Sequence, residues 1–494
     1  MRRFSKSRLM AYRQCERRLW LELRHPELRA DGAASMAAFA AGHQVGDLAR
    51  SLYDPHGAGT LLDPHGEGFD AALARSLALL DSGRPIFEAG FAAGGAMAFA
   101  DVLLPVPGQG ARRWRMVEVK SSTSVKDYQR DDAAIQATVA RDAGVALEGI
   151  ALAHIDSSWV YPGGGDYRGL LVEEDLTEEA FGRADEVAAW VAGARAVAAS
   201  NDEPDITLGK HCASPYDCGF TVHCASGLPQ AEFPVAWLPQ LRNKAAKQCV
   251  DDGALDMRDI PDALLSDKQL RVKQATLSGL TYFDAAGAAA DLAPHPLPGY
   301  FLDFETIAFA VPVWQGTRPF QMIPFQFCVH RMDRDGQLEH AAFLDISGDD
   351  PSRTFASALV EACGEHGPVF VYNAGFEKSR IADLAARFPL LAPALLAINA
   401  RVVDLLPVAR ERYYHPSQEG SWSIKKVLPA VAPDLRYDDL DGVQDGGAAM
   451  QAYVEAIAPD TAPERKRTIE TQLLAYCELD TLAMVRLWRY FSGQ

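Results

Sequence analysis

The chain has 494 residues, 48% of them hydrophobic, and carries a formal net charge of −18 at pH 7. That length allows two or three domains at ~150 residues each, with apolar residues enough for a sizeable core throughout. No apolar run reaches the ~18 residues a membrane span needs, and the acidic balance argues against a generally basic protein that coats nucleic acid.

The N-terminal stretch MRRFSKSRLMAYRQCERRLW is basic but lacks an apolar signal core, so a cytoplasmic protein with no membrane contact is expected. Residues 1–30 hold nine Lys/Arg against three Glu, a local basic patch compatible with phosphate binding. Residues 1 to about 80 are expected to be mostly helical. Two strand-like runs follow, AMAFADVLL (96–104) and WRMVEVKSS (114–122), with PVPGQGARR as the turn between them. The pattern then predicts a helix at 128–143, a strand at 149–155 and a helix at 186–200. Residues 229–293 carry short helices broken at Pro229, Pro234, Pro239 and Pro261, and PHPLPG (294–299) marks a boundary. The last unit opens with the strand YFLDFET. IPFQFCVHRM and AAFLDI are its next strands, joined by the turn RDGQ. A helix at 352–365, the strand PVFVYN, a helix from 375, the strand ARVVDLL and a long helix at 464–491 complete it. Strands first, then strands alternating with helices, argue for a mixed α/β sheet.

Strand alternation in FLDFET puts Phe301, Asp303 and Glu305 on one face and Leu302 and Phe304 on the other. Neighbouring carboxylates repel, so that face is either solvated or holds a cation. In VFVYNAGFEKSRI, Asn373 and Glu377 stand four apart at a strand-to-helix junction. In AYCELDTLAM, Tyr476 and Asp480 have the same spacing. Leu473, Tyr476, Cys477, Asp480, Met484, Leu487 and Phe491 recur at helical period, so Asp480 lies inside an apolar stripe that offers no Lys or Arg. Singly, a D-x-E is a solvated edge and an Asn is a cap or turn residue. Together, Asp303, Glu305, Glu377 and Asp480 are explained by convergence on two divalent cations, Mg or Mn. Two metals ~3.5–4 Å apart clamp the attacking and leaving oxygens of a phosphodiester displacement. Tyr476, one turn from Asp480, is placed to orient the attacking water.

DFE, then N-x-x-F-E, then Y-x-x-x-D resembles the three exonuclease motifs of the DnaQ-like (DEDD) exonucleases, the tyrosine marking the DEDDy subtype. The resemblance implies a ribonuclease H-like fold and removal of nucleotides from 3′ ends. The third acid is Glu377 where that family usually has Asp. GSWSIKKVLP (420–429) resembles a helix entry of the same family, with Ser421 or Ser423 as cap and Lys425 or Lys426 toward phosphate, or else a solvated basic turn.

In the N-terminal half, Asp101 interrupts AMAFADVLL, and MVEVK puts Glu118 and Lys120 on one strand face. An acid on one hairpin strand and E-x-K on its neighbour build a Mg or Mn site in which the lysine helps activate water. Alone, the pattern is a salt-bridged surface hairpin. Cys212, Cys218 and Cys224 fall at even spacing in HCASPYDCGFTVHC, and Cys15 stands far upstream, whereas Cys249, Cys328, Cys363 and Cys477 look like ordinary buried thiols. The whole resembles the RecB-like nucleases of the PD-(D/E)xK superfamily, in particular the iron–sulfur exonucleases associated with CRISPR systems. The resemblance implies that Cys15, Cys212, Cys218 and Cys224 hold a [4Fe–4S] cluster. Zinc is the competing occupant, with His211 and His223 as spare ligands, but tight C-x-x-C pairs are missing. Gln136 matches that family's helix glutamine, and Glu88 adds a carboxylate. Ala140 stands where a tyrosine is expected, and either His43 or Gly46 occupies the place of the motif histidine.

The expected fold class is thus α/β. Residues 1–228 form a PD-(D/E)xK restriction-endonuclease-like domain with an iron–sulfur cluster. Residues 229–295 form a helical linker region, and 296–494 a ribonuclease H-like mixed α/β exonuclease domain. The arrangement resembles an uncharacterised bacterial family that fuses the two. The expected function is metal-dependent nuclease, with DNA ahead of RNA as partner and Arg13, Arg17 and Arg18 contacting phosphate. The rivals are a nucleic-acid-binding scaffold with decayed sites and an iron–sulfur redox sensor.

Overall fold

The computed structural model describes residues 3–31, 33–108 and 112–494, with residues 33–40 as backbone only. The tip of the expected PVPGQGARR turn, 109–111, and the first two residues of the basic segment lie outside the described residues. The described residues divide into two units. The first comprises Met1–Leu228 and Phe309–Gln321, and the second comprises Pro229–Ala308 and Met322–Gln494.

Among its described residues the first unit has seven strands: β1 (Phe4–Ser5), β2 (Thr60–Leu61), β3 (Ile86–Ala93), β4 (Ala96–Val106), β5 (Arg113–Val119), β6 (Leu147–Ile155) and β7 (Leu171–Asp175). They form one mixed sheet in the order β2-β3-β4-β5-β6-β7, with β1 beside β4. Gly94 and Gly95 turn β3 into β4 with φ of 60° and 94°, the left-handed pair that a two-residue hairpin requires and glycine adopts freely. The Asp127–Asp142 helix crosses from β5 to the parallel β6. Its Ala133, Ala137 and Ala140 pack into the core with Phe91, Met116 and Ile150. β3 was not expected from the sequence. Glu88, at φ 54°, and Gly90 interrupt its apolar run, so it carries no clean alternation.

The second unit has β8 (Tyr282–Phe283), β9 (Gly299–Ile307), β10 (Ile323–Met332), β11 (Leu338–Leu344), β12 (Val369–Val371), β13 (Val402–Asp404) and β14 (Tyr413–Tyr414). Five of these form a mixed sheet in the order β11-β10-β9-β12-β13. β9, β10 and β11 are antiparallel, and β12 runs parallel to β9 and to β13. The alternation in β9 separates two cores. Leu302 and Phe304 pack with Phe355 and Leu359 of the Ser352–Cys363 helix. Phe301 packs with Met484, Leu487 and Trp488 of the final helix, Pro463–Ser492.

Three expectations shift. β11 begins three residues before AAFLDI. The strand in ARVVDLL stops at Asp404, because the Asp404 carboxylate accepts the Leu406 N–H and caps the Leu405–Arg412 helix. The 229–295 region does not stand apart. Val272, Ala275, Ala288 and Leu292 lie in the core of the second unit with Phe301 and Phe370. Among the described residues, no helix is long and apolar enough to cross a membrane.

Candidate metal centres

In the second unit, β9 and the final helix bring three acids together. Oxygens of Asp303, Glu305 and Asp480 lie within 4.8 Å of one another. All seven stripe residues of the final helix are buried, Asp480 among them. Glu377 comes from a different device. Asn373 leaves β12 at φ 83°, a conformation Asn tolerates better than most residues. The Asp404 carboxylate fixes this corner by accepting the N–H groups of Asn373 at 2.9 Å and Ala374 at 3.1 Å. The Gly375–Arg387 helix then starts, with Glu377 in its first turn, where the helix dipole favours a carboxylate. Glu377 lines one cavity of about 240 Å³ with Asp303, Glu305, Tyr476, Asp480 and Lys425.

The four carboxyl groups of this cavity are all pushed above their ordinary range. Burial, then Asp480, Glu305 and Glu377, pushes the Asp303 carboxyl well above the ordinary range. Burial and Asp480 raise Glu305 to about 8, against the opposing pull of Lys425. Burial raises Glu377 to about 8 and Asp480 to about 6. Glu377 is only 2% exposed, and its Oε2 has no hydrogen-bond partner, a costly arrangement for a carboxylate unless something positive meets it. The donor set is all oxygen, which suits Mg or Mn rather than a softer ion.

Three further residues surround or support these acids, and of them Tyr437 carried no readable signal in the sequence. The Tyr437 hydroxyl donates to Asp480 Oδ1. Lys425 Nζ sits 4.9 Å over the Tyr437 ring and 5.1 Å over Tyr476, and donates to the Gln444 carbonyl at 2.7 Å. Asp404, described above, is the third, though an Asp ending a strand before a helix is a legible cap. Of the two expected phosphate lysines, Lys425 is at the cavity, and Lys426 instead pairs with Glu419 at 2.6 Å. Ser423 is the N-cap residue of the Ile424–Val431 helix, without a side-chain cap bond.

In the first unit, Asp101, Glu118, Lys120 and Gln136 do meet, together with two residues that sequence reasoning missed. Lys6 Nζ lies 2.7 Å from Glu118 Oε1 and 3.1 Å from Asp132 Oδ1, and Lys120 Nζ lies 2.8 Å from Asp132 Oδ2. Lys120 also bonds Glu118, and Gln136 donates to both acids. Asp101 Oδ2 accepts the Val119 N–H at 2.7 Å. Burial, Asp101 and Asp132 raise Glu118 to about 7. Asp132 is also buried, but Lys120 and Lys6 outweigh that and hold it below the usual range. Burial, then Glu118, raises Glu88, and burial raises Asp101 against the pull of Lys6 and Lys120, with Glu88 adding to the rise. The positive φ of Glu88 costs ~1–3 kcal/mol. Ala140 is fully buried, and His43 is exposed on the Ala33–Tyr53 helix.

The four cysteines Cys15, Cys212, Cys218 and Cys224 line a single small cavity with His211 and Phe220. Cys15 is the N-cap residue of the Glu16–Arg24 helix, without a side-chain cap bond, and burial pushes its thiol up. His223 is engaged elsewhere, 3.3 Å from Glu203. Arg13, Arg17 and Arg18, expected to face phosphate, form ion pairs within the unit, with Asp131, Glu203 and Glu22.

The fold and sites thus define a mixed α/β protein with an acid-lined cavity in its second unit. A family model described as Domain of unknown function (DUF2779) matches residues 300–423, which include Asp303, Glu305 and Glu377 but stop short of Tyr437, Tyr476 and Asp480. No curated protein matches the chain.

Proposed function

We propose that the second unit is a metal-dependent nuclease that hydrolyses phosphodiester bonds of nucleic acid, trimming 3′ ends, with DNA the preferred substrate. The observation that carries this reading is the meeting of Asp303, Glu305 and Asp480 oxygens within 4.8 Å, with the unpartnered Glu377 Oε2 in the same cavity. Asp303, Glu305, Glu377 and Asp480 would hold two divalent ions, which when bound would supply Lewis-acid stabilisation of the displacement. Tyr437 fixes the Asp480 carboxylate, and Tyr476 is the residue proposed to orient water. The mixed sheet, antiparallel first and parallel afterwards, supports the ribonuclease H-like reading.

A groove supports nucleic acid as the substrate. A cavity of about 1340 Å³ in the same unit shares Tyr372, Asn373, Ser423 and Ile424 with the acid-lined cavity. Arg242, Lys268, Arg271 and Arg410 line it, against Asp267 and Glu411. A groove with more basic than acidic residues beside the acid-lined cavity would let a phosphate backbone track toward it, with affinity that falls as salt rises.

The first unit is proposed as a PD-(D/E)xK nuclease site of Asp101, Glu118, Lys120 and Gln136, with a [4Fe–4S] cluster on the four cysteines. A second reading has a specific observation behind it. Lys6 and Lys120 already neutralise Glu118 and Asp132, which favours a non-cleaving module that grips nucleic acid. End-labelled single- and double-stranded DNA and RNA, offered with Mg²⁺ or Mn²⁺ to wild type, Asp303→Ala and Lys120→Ala, decide among these. The reading expects 3′ trimming by wild type and its loss in Asp303→Ala. Full trimming by Asp303→Ala sinks the site assignment, and unchanged cleavage in Lys120→Ala favours the gripping module.

A further inference from the structure

On the same face of the sheet as Asp303, a second group of ligands lies that the nuclease reading does not use. His330 on β10 and His340 on β11 are directly opposite in the antiparallel register, so both side chains share the face that the final helix covers. Glu478 of that helix meets them, and one ligand atom from each of the three lies within 4.8 Å of the others. The two imidazole rings are 4.7 Å apart, and His340 Nδ1 is 3.9 Å from Glu478 Oε1.

The tautomer of His330 is fixed by its neighbour. Thr481 Oγ lies 2.9 Å from the Glu478 carbonyl and 3.4 Å from the Cys477 carbonyl, so its hydrogen points to the helix backbone. It therefore accepts from His330 Nδ1, 2.9 Å away. That leaves Nε2 of a buried, neutral imidazole with its lone pair, and a histidine whose other nitrogen is bonded away is the usual form of a metal-ligating histidine.

The geometry points to a second cation site formed by His330, His340 and Glu478, for a borderline ion such as zinc. Two imidazoles and one carboxylate suit zinc, whereas Mg prefers the all-oxygen cavity. Zn–N bonds of ~2.0–2.1 Å in a tetrahedron put ligand atoms ~3.3 Å apart. Reaching that spacing requires rotation of His340 and Glu478, whose side chains, 29% and 50% exposed, are free of close packing on their solvent side. A bound ion clips the exposed edge strand β11 to the helix that carries Tyr476 and Asp480. The proposal does not rest on the nuclease reading.

The test uses the full-length protein with its cysteine site as purified. Zinc is titrated calorimetrically in excess Mg²⁺, which occupies the all-oxygen cavity, and the thermal midpoint is followed in parallel. Wild type is expected to take one zinc more than His340→Gln and Glu478→Gln, and to gain a zinc-dependent rise in midpoint that both variants lose. Residual affinity in either variant should fall by at least the roughly 100-fold that loss of an outer-shell partner costs. Both positions are solvent-exposed, and circular dichroism confirms that the variants fold. Asp303→Asn is expected to keep the extra zinc. Equal zinc stoichiometry and affinity in wild type and both variants overturns the site, as does loss of the extra zinc in Asp303→Asn alone.

Discussion

At the scale of single residues, the acid-lined cavity depends on how four carboxylates are held near one another. The Tyr437 hydroxyl bonded to Asp480 does two things: it orients the carboxylate and offsets part of its charge. Tyr437→Phe keeps the ring against Tyr476 and removes only that bond. Mn²⁺ affinity, measured by calorimetry, is expected to fall ~10–100-fold, the range for loss of a partner behind a metal ligand, while the fold stays intact. The same carboxylates set a pH dependence. Glu305 and Glu377 are raised to about 8 and Asp480 to about 6, against ordinary values of ~4.3 and ~3.9 in the unfolded chain. The metal-free folded state therefore binds protons more tightly than the unfolded one. The stability these groups contribute is fully present below ~pH 4 and is lost as pH rises through their folded values. A cation needs the deprotonated acids and reverses that loss. The rise in thermal midpoint on adding Mn²⁺ should be larger near pH 8 than near pH 6, with protons released on binding. An equal rise at both pH values would show that these acids are not ligands.

At the scale of elements, the β12-to-helix corner is the part most open to test, because one side chain holds it. Asp404 accepts three N–H groups, from Asn373, Ala374 and Leu406. Asp404→Ala strands all three and is expected to cost about 1–2 kcal/mol in a denaturant titration, the upper part of the range for a lost cap. Because Glu377 rides on this corner, metal binding should weaken as well. A variant destabilised by that amount with unchanged Mn²⁺ affinity would separate Asp404 from the site. This corner also shows what a sequence can and cannot reveal. Asp303 and Glu305 were legible because strand alternation puts them on one face, and Asp480 because a charge inside an apolar helical stripe demands a partner. Glu377 was legible from its offset to Asn373. Tyr437 was not, since it comes from a loop-like segment 43 residues from Asp480 with no periodicity to read. Lys6 was hidden for the same reason, meeting Glu118 across 112 residues. Asp132 looked like any polar position on a helix, and only the approach of two lysines distinguishes it. Local period shows which face a side chain takes, but not which distant segment will cover that face.

At the scale of the whole molecule, the division into units does not follow the chain in two continuous pieces. Residues 309–321 belong to the first unit, although β9 before them and β10 after them belong to the second. Ala310 and Val311 sit in a core with Val45, Phe87, Val102, Val117 and Ile155. Gly316 N–H donates to the Tyr161 carbonyl at 2.8 Å, Tyr161 N–H to the Thr317 carbonyl at 2.9 Å, and the Tyr167 hydroxyl to the Pro312 carbonyl at 3.1 Å. The sequence placed a clean cut near 228, and by that reasoning residues 1–228 should be self-sufficient. The packing says otherwise. A chain ending at 228 uncovers this core and leaves the backbone groups of Tyr161 to water. Burial of one Val is worth ~1.5–3 kcal/mol, and each lost hydrogen bond ~0.5–1.5 kcal/mol. The sum is a large part of the ~5–15 kcal/mol that holds a typical domain together. Residues 1–228 expressed alone should therefore unfold at lower denaturant than the first unit does in the intact chain. A version with residues 309–321 joined through a flexible linker should recover most of the difference. Equal midpoints for the short and the extended versions would mean that the segment adds nothing to that core.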